Sequence, residues 1–399
     1  MPTATRLRMA RNPFLDTVIR SGLLAPDDLI SILGQYDPAQ VAKAEPIQLA
    51  TVLVRKKLLT KFQAMQLLSG KTAGFLLGKY KIQEGIRQDR VGMVFLAQDT
   101  STRQLVSLKV LPSDRTSDPT ILQAFLKEVQ AAARVTHPSA ARVLDLDVHQ
   151  GTHFVVCEYV PGMTLDKVVA EKGPLPPNVA AQYAAQAAVA LKHAHAQGLF
   201  HRDVKPANLA VLPTGGLKLL DLGLTHMLEN PWARVTKRIN MQEYADEIDH
   251  VAPEQAWGNE PDAKSDIYSL GSSLYWLLTG QSPFPGTASE KMTARQLTGV
   301  PKPSLVNPEV PRELDVIVQK MGAKNPHERF PSAGHVLAAL HPWLPLAQWM
   351  ALGINLESLT PTEAERSPVD AQTPAPRKGG GWLSGGIAAA KRWLGSGSK

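Results

Sequence analysis

Apolar residues recur at helical spacing through residues 1–75, and two stretches there follow one pattern. PFLDTVIRSGLLAPDDLISIL and PIQLATVLVRKKLLTKFQAMQLL align when offset by 34 to 35 residues. Thr17-Val18-Ile19 answers Thr51-Val52-Leu53, Leu23-Leu24 answers Leu58-Leu59, and Ile32-Leu33 answers Leu67-Leu68. Each copy predicts a helix, a short break and a second helix, with Pro26 and Thr60 placed to start the second one. Four helices in two hairpins follow for residues 1–75. No cluster of His, Cys, Asp and Glu lies in this stretch, so it reads as a folded docking or spacer module.

Near Leu77 the period changes from helical to alternating. LGKYKIQ, VGMVFLAQD and QLVSLKVL predict strands of an antiparallel sheet. ILQAFLKEVQAAARV follows as an amphipathic helix with Leu122, Phe125, Leu126, Val129 and Ala132 on one face. THFVVCEYVPG is a buried strand running into a Pro-Gly turn. An alanine-rich helix then runs from Pro176 to Gln197, with Gly198 as its stop. Residues 266–278 are apolar all round, as in a helix buried at the middle of a domain. Past Trp343 the pattern fades. Residues 346–381 predict a largely disordered linker, rich from residue 357 onward in Pro, Thr, Glu, Ala and Gly. Residues 382–399 return to helical spacing, with Trp382, Ile387, Ala390, Trp393 and Leu394 near one face. Lys391 and Arg392 stand beside them. This short amphipathic helix, weakened by its glycines, suits a partner's groove or a membrane surface, or is a disordered end.

Composition narrows the field. Of 399 residues, 44% are hydrophobic and 20% charged, enough to bury a sizeable core. The net charge of +7 is carried by the two ends. Residues 1–75 hold 10 Lys/Arg against 5 Asp/Glu, residues 357–399 hold 6 against 4, and the middle is balanced. With neither a basic stripe nor an aromatic platform, nucleic acid is not an expected partner. No apolar run reaches bilayer length and no secretory signal opens the chain. The single cysteine, Cys157, fits a reducing compartment, so the expected location is cytoplasmic.

The chemistry concentrates at His201–Asn208, which reads HRDVKPAN, and at KLLDLG with Asp221. Asp203 is a carboxylate able to take a hydroxyl proton, Lys205 is a cation, and Asn208 and Asp221 are oxygen donors for a hard metal ion. That set is the apparatus of phosphoryl transfer from ATP. HRDVKPAN matches the protein-kinase catalytic loop H-R-D-x-x-x-x-N. With VAPEQ (residues 251–255), KSDIYSLGSSLYWLLTG and NPHERF in order behind it, the chain resembles the bacterial, eukaryotic-like (Hanks-type) serine/threonine protein kinases over about two thirds of its length.

The resemblance implies an α+β bilobal fold over residues 76–345. The small lobe would hold a five-stranded antiparallel sheet and one helix, and the large lobe would be mostly helical. It implies Mg²⁺ and ATP as cofactors, protein Ser/Thr hydroxyls as acceptors, and roles for particular residues. Asp203 would be the base, Lys205 would neutralise charge on the transferred group, and Arg202 would grip a phosphorylated activation loop. Lys109, bridged by Glu128, would hold the α- and β-phosphates. Gly92, Val94 and Ala210 would line the nucleotide, with Cys157 as gatekeeper. Glu158 and Val160 would meet the adenine through carbonyl and amide, and Asn208 and Asp221 would hold the metal. Arg329 would pair with Glu254. In the activation loop, Thr236 lies among Arg234, Lys237 and Arg238 and is the expected autophosphorylation site. Residues 1–75 and 382–395 are the expected partner-docking segments, with membrane contact open for the second.

Three positions depart from the family pattern. Arg87 and Asp89 stand where the first two glycines of the phosphate loop belong, and only Gly92 remains. Ser107 precedes Lys109 where an alanine is usual. Asp246-Glu247 replaces the Gly-Thr before the closing motif. Two readings are therefore open: an active kinase, or a kinase-fold scaffold that binds nucleotide weakly or not at all and regulates partners.

Overall fold

The computed structural model describes residues 12–88, 92–224, 248–256 and 261–345. They divide into two compact bodies. One holds the chain up to Arg134 together with Ala141–Val160; the other holds Val135–Ala140 and the chain from Pro161 onward.

The first body begins with five short helices: α1 (Pro13–Arg20), α2 (Pro26–Leu33), α3 (Pro38–Lys43), α4 (Pro46–Arg55) and α5 (Lys61–Leu68). Proline at the first helical position opens four of them, and Asn12, Asp37 and Thr60 cap α1, α3 and α5 with side-chain oxygens. The sequence predicts four helices. The fifth is α3, whose six residues are too few to display a period. The internal repeat survives as packing: Val18 and Leu53, Leu24 and Leu59, and Leu29 and Ala64 are buried together in one cluster that extends to Phe75.

A six-stranded antiparallel sheet follows, ordered β1-β2-β3-β4-β6-β5. Its strands are β1 (Leu76–Leu77), β2 (Tyr80–Gln88), β3 (Met93–Asp99), β4 (Leu105–Val110), β5 (Val143–His149) and β6 (Thr152–Glu158). The expected sheet had five strands; the sixth is β1, a two-residue strand paired to the start of β2. Between β4 and β5 the chain forms α6 (Ser113–Thr116) and α7 (Pro119–Ala132), the latter burying Phe125, Val129 and Ala132. Alternation sorts the sheet into two faces. Tyr80, Ala97, Val106, Leu108, Phe154 and Val156 make a closed apolar core on one face, where Tyr80 and Phe154 meet edge to face.

The second body is mostly helical. After β7 (Met163–Thr164) come α8 (Leu165–Lys172) and α9 (Pro177–His195), then β8 (Leu209–Val211) and β9 (Leu217–Leu219), which with β7 form a three-stranded sheet. Then come α10 (Pro253–Ala256), α11 (Ala263–Thr279), α12 (Ala288–Leu297), α13 (Arg312–Met321) and α14 (Ala333–Leu340). The alanines of α9 let it run through the core, where Ala184, Ala187, Ala188 and Leu191 are buried against the rest of the cluster. α11 is buried on all sides, and its four serines turn their hydroxyls onto neighbouring polar groups. No helix among the described residues is long and apolar enough to cross a membrane. The linker and the C-terminal helix expected over 346–399 lie outside the described residues.

Candidate active site

The catalytic loop is built on one buried carboxylate. Asp266, in the first turn of α11, is fully buried and accepts three hydrogen bonds. They come from the His201 and Arg202 backbone amides at 2.8 and 2.7 Å and from His195 Nε2 at 2.8 Å. Gln255 Nε2 donates to the Arg202 carbonyl at 3.0 Å from the opposite side. Together these bonds hold Arg202 at φ +65°, a left-handed conformation that costs a non-glycine residue about 1–3 kcal/mol. The fold keeps this strained turn because it sets the direction of the residue that follows.

That residue is Asp203. Its amide donates to His201 Nδ1 at 3.2 Å, while His201 Nε2 donates to the Leu220 carbonyl at 2.7 Å, which fixes the imidazole tautomer. One carboxylate oxygen, Oδ2, receives Lys205 Nζ at 2.8 Å and Asn208 Nδ2 at 3.1 Å. Asn208 Nδ2 also donates to the Asp203 carbonyl at 2.8 Å, and the Leu220 amide donates to the Asn208 carbonyl at 2.8 Å. Asp203, Lys205 and Asn208 thus form one hydrogen-bonded unit. The chain from Leu219 to Asp221 is laid beside it by the β8–β9 pairing and by the Leu219 amide on the Ser139 carbonyl. Asp221 itself is at φ +60°. Ala210 sits in β8, buried, opposite Thr164 on one side and Lys218 on the other.

Asn208 and Asp221 present oxygen donors, the set that a hard divalent cation takes. No group of three or more His, Cys, Asp or Glu side chains suited to a metal occurs among the described residues. Two protein ligands fit an ion that keeps several waters and leans on substrate phosphates.

The remaining site residues lie in the first body, several of them on the sheet face opposite its apolar core. Strand register pairs Val94 with Lys109 and with Arg87, Lys109 with Val155, and Ser107 with Cys157. Directly opposed residues share a face, so Arg87, Val94, Ser107, Lys109 and Cys157 line one surface. Lys109 is only 3% exposed, which suits an ammonium on a central strand only with polar partners. Glu128 is on α7, three residues past the buried Phe125. Glu158 ends β6; its amide donates to the Arg142 carbonyl, and its carboxylate accepts from the Arg142 amide at 3.2 Å. Val160 closes the first body.

Gly92 has a structural reason to survive where its two companions do not. At φ +148° it lies against the Val110 carbonyl so closely that any Cβ would overlap it. Asp89, Arg90, the loop residues Thr225, Thr236 and Tyr244, and Asp246-Glu247 lie outside the described residues.

The Glu254–Arg329 pair that the resemblance implies is part of a wider polar network beneath the closing motif, the rest of which is not legible in the sequence. Glu254 pairs with the Arg329 guanidinium through bonds of 2.6 and 2.8 Å and accepts from Ser265 Oγ at 2.7 Å. Burial pushes the Glu254 carboxyl up, but the Arg329 hydrogen bonds and charge outweigh it and hold it below the usual range. Asp249 is bound by Lys291 at 2.8 Å and Ser282 at 2.6 Å, and burial raises its carboxyl in spite of both. Arg295 is fully buried beneath, donating to the Val251 and Lys291 carbonyls.

His250 sits among these groups. Its Nδ1 lies 3.4 Å from Ser273 Oγ. Burial first, and then the positive charges of Lys205, Arg295 and Lys291, push its imidazole down to about 3, with Asp203 opposing. The folded pKa is below the unfolded one, so the unfolded chain binds the extra proton. His250 therefore contributes stability above pH about 6.5 that is lost as pH falls through that value toward 3. The expected slope is about 1.4 kcal/mol per pH unit. Urea titrations between pH 7 and 5 should show that slope flattened in His250→Gln; equal slopes in the two proteins would contradict the burial of a neutral imidazole.

A strained loop on a buried Asp, with a lysine-bearing antiparallel sheet before it in the chain and a helical body after it, is the element order of the protein-kinase fold. Residues 80–344 match the family model "Protein kinase domain". The chain belongs to the protein kinase family. It is 34% identical over 274 residues to the serine/threonine-protein kinase PknB of Mycobacterium tuberculosis, covering 67% of this chain and 43% of that protein. To the serine/threonine-protein kinase PrkC of Bacillus subtilis it is 33% identical over 257 residues, covering 64% and 39%. The chain therefore matches less than half the length of these relatives. Among solved structures, the PknI kinase domain of M. tuberculosis superposes with a TM-score of 0.54 at 26% identity, covering 68% of this chain and 98% of that one.

Proposed function

We propose that the chain is an ATP-dependent serine/threonine protein kinase that transfers the γ-phosphoryl group of Mg-ATP to protein hydroxyls. The observation that carries this reading is the Asp203–Lys205–Asn208 unit, held on a strained loop by Asp266. Asp203 orients the acceptor hydroxyl and takes its proton. Lys205, already 2.8 Å from the base, neutralises charge on the group in flight. Lys205 is also the residue type that serine/threonine rather than tyrosine kinases carry here. Asn208 and Asp221 would hold magnesium, which when bound would supply positive charge against the phosphates. Lys109, placed by Glu128, binds the α- and β-phosphates, and Arg87 on the same face adds a second cation where the family has glycine. Val94 and Ser107, on the Lys109 face of the sheet, would line the base, and Glu158 and Val160 would offer it backbone groups.

Protein substrates, docking through residues 1–75 and 382–395, autophosphorylation at Thr236 and a cytoplasmic location belong to the same proposal. The purified chain, incubated with Mg-ATP and a generic basic protein, should yield phosphoserine or phosphothreonine by peptide mass spectrometry, on itself or on the acceptor. Unmodified protein throughout, from a sample that binds Mg-ATP, would leave a nucleotide-binding scaffold instead.

A further inference from the structure

β2 is a strand with an unpaired side. β1 matches it only at Tyr80 and Lys81, so from Ile82 onward β2 has β3 on one flank and, among the described residues, no strand on the other. Here β2 also breaks register twice, between Ile82 and Glu84 and between Gly85 and Arg87. Such an edge leaves backbone carbonyls without partners and tends to shift.

The N-terminal helices supply what the sheet lacks. Gln63 Nε2 donates to the Ile82 carbonyl at 2.5 Å and Thr60 Oγ1 to the Gln83 carbonyl at 2.6 Å, both from the first turn of α5. Lys81 Nζ returns a bond to the Leu23 carbonyl at 2.9 Å. The Phe62 ring packs over Gly85, at van der Waals distance (3.4 Å) from the position a Cβ there would take. Gln63 and Thr60 are tied to each other as well: each accepts from the other's backbone amide, forming the capping box that starts α5. The clamp is therefore a rigid helix start, fixed on one side to the helical core and on the other to a bulged strand. Two residues beyond Gly85 stands Arg87, opposite Val94 and on the face of Lys109.

We propose that Thr60, Phe62 and Gln63 are positioning residues for nucleotide binding. They hold the bulged β2, and so the stem of the β2–β3 hairpin with Arg87 and Val94, at the spacing Mg-ATP requires. A hairpin with glycines at 87 and 89 can fold its own backbone onto phosphates; this one, lacking both, takes its position from α5. The inference rests on the kinase reading for its ligand.

Two variants test it. Gln63→Glu keeps an acceptor for the Thr60 amide but loses the donor to the Ile82 carbonyl. Phe62→Ala removes the ring from Gly85 and leaves the buried helical cluster intact, since Phe62 is only half-buried and outside it. Met65→Ala, on the exposed face of α5, is the control. The Kd for Mg-ATP, measured by titration calorimetry, should rise about ten-fold in both variants and stay unchanged in the control. In both variants kcat at saturating ATP should stay within about two-fold of wild type, a split that general destabilisation would not give. Melting curves verify that each variant is folded at the assay temperature. An unchanged Kd in either folded variant, or a fall in kcat at unchanged Kd, overturns the inference while wild-type phosphoryl transfer leaves the kinase reading standing. A wild type that binds Mg-ATP but transfers nothing ends the kinase reading, and the shift in Kd still decides this one. A wild type that does not bind Mg-ATP overturns both.

Discussion

An Arg329→Ala chain is expected to be about 3–5 kcal/mol less stable than wild type, the cost of leaving a buried carboxylate without its partner. The side chain of Arg329 is fully buried. It donates to both Glu254 oxygens and to the carbonyls of Ala323, Lys324 and Lys264, so one truncation strips five acceptors. Against a total of about 5–15 kcal/mol for a typical domain, that loss is a large fraction of the whole. The Glu254 pair also carries a pH signature. Its folded pKa is depressed, so the stability it adds is present above the ordinary carboxylate pKa and is lost as pH falls through the folded value. Chemical denaturation of wild type and Arg329→Ala at pH 7 and pH 4 should show the difference between them shrinking on acidification. A difference below 1 kcal/mol at pH 7 would contradict the pairing.

Asp203→Ala is expected to reduce kcat by a factor of about 10²–10⁴, the usual contribution of a positioned general base. The Kd for Mg-ATP should stay within about two-fold of wild type, because the phosphates are assigned to Lys109 and the metal to Asn208 and Asp221. Asp203 has a second duty that limits this separation. Its carboxylate bonds Lys205 Nζ and Asn208 Nδ2, so its removal takes away the ion pair with Lys205 and leaves Asn208 Nδ2 its bond to the residue-203 backbone carbonyl. Asp203→Asn, which keeps an oxygen for Asn208 and Lys205, should retain nucleotide affinity more fully while remaining as slow. A variant that binds normally and turns over normally would remove Asp203 from the role of base.

Much of this was written into local sequence. HRDVKPAN announces the loop because proton acceptance, charge neutralisation and metal binding need those residue types within one short turn. The pairing of Glu254 with Arg329, 75 positions apart, is implied by the family resemblance, and the structure bonds them as expected. Strand alternation in VFLAQD and VSLKVL sorts correctly into a core face and a site face.

What the chain did not reveal is non-local or too short to have a period. β1 has two residues and α3 six. Lys291 and Arg295 of α12 are charged yet buried: Lys291 pairs with Asp249, and Arg295 donates to the Val251 carbonyl. His195, at the end of α9, bonds the Asp266 carboxylate 71 positions away, a contact that no local pattern signals. The clamp of α5 on β2 joins Gln63 to Ile82 and Phe62 to Gly85, contacts for which the only sequence signal was an unremarked glycine in a strand.

The central claim is that this site transfers phosphoryl groups although its phosphate loop has lost two glycines. The direct measurement is incorporation of label from [γ-³²P]ATP, with magnesium, into the chain itself and into a basic protein acceptor, for wild type and Asp203→Ala side by side. The account predicts label on serine or threonine in the wild-type reaction, at least 100-fold above the variant at equal time, as expected for loss of the general base. Equal, background-level incorporation by the two proteins would contradict it.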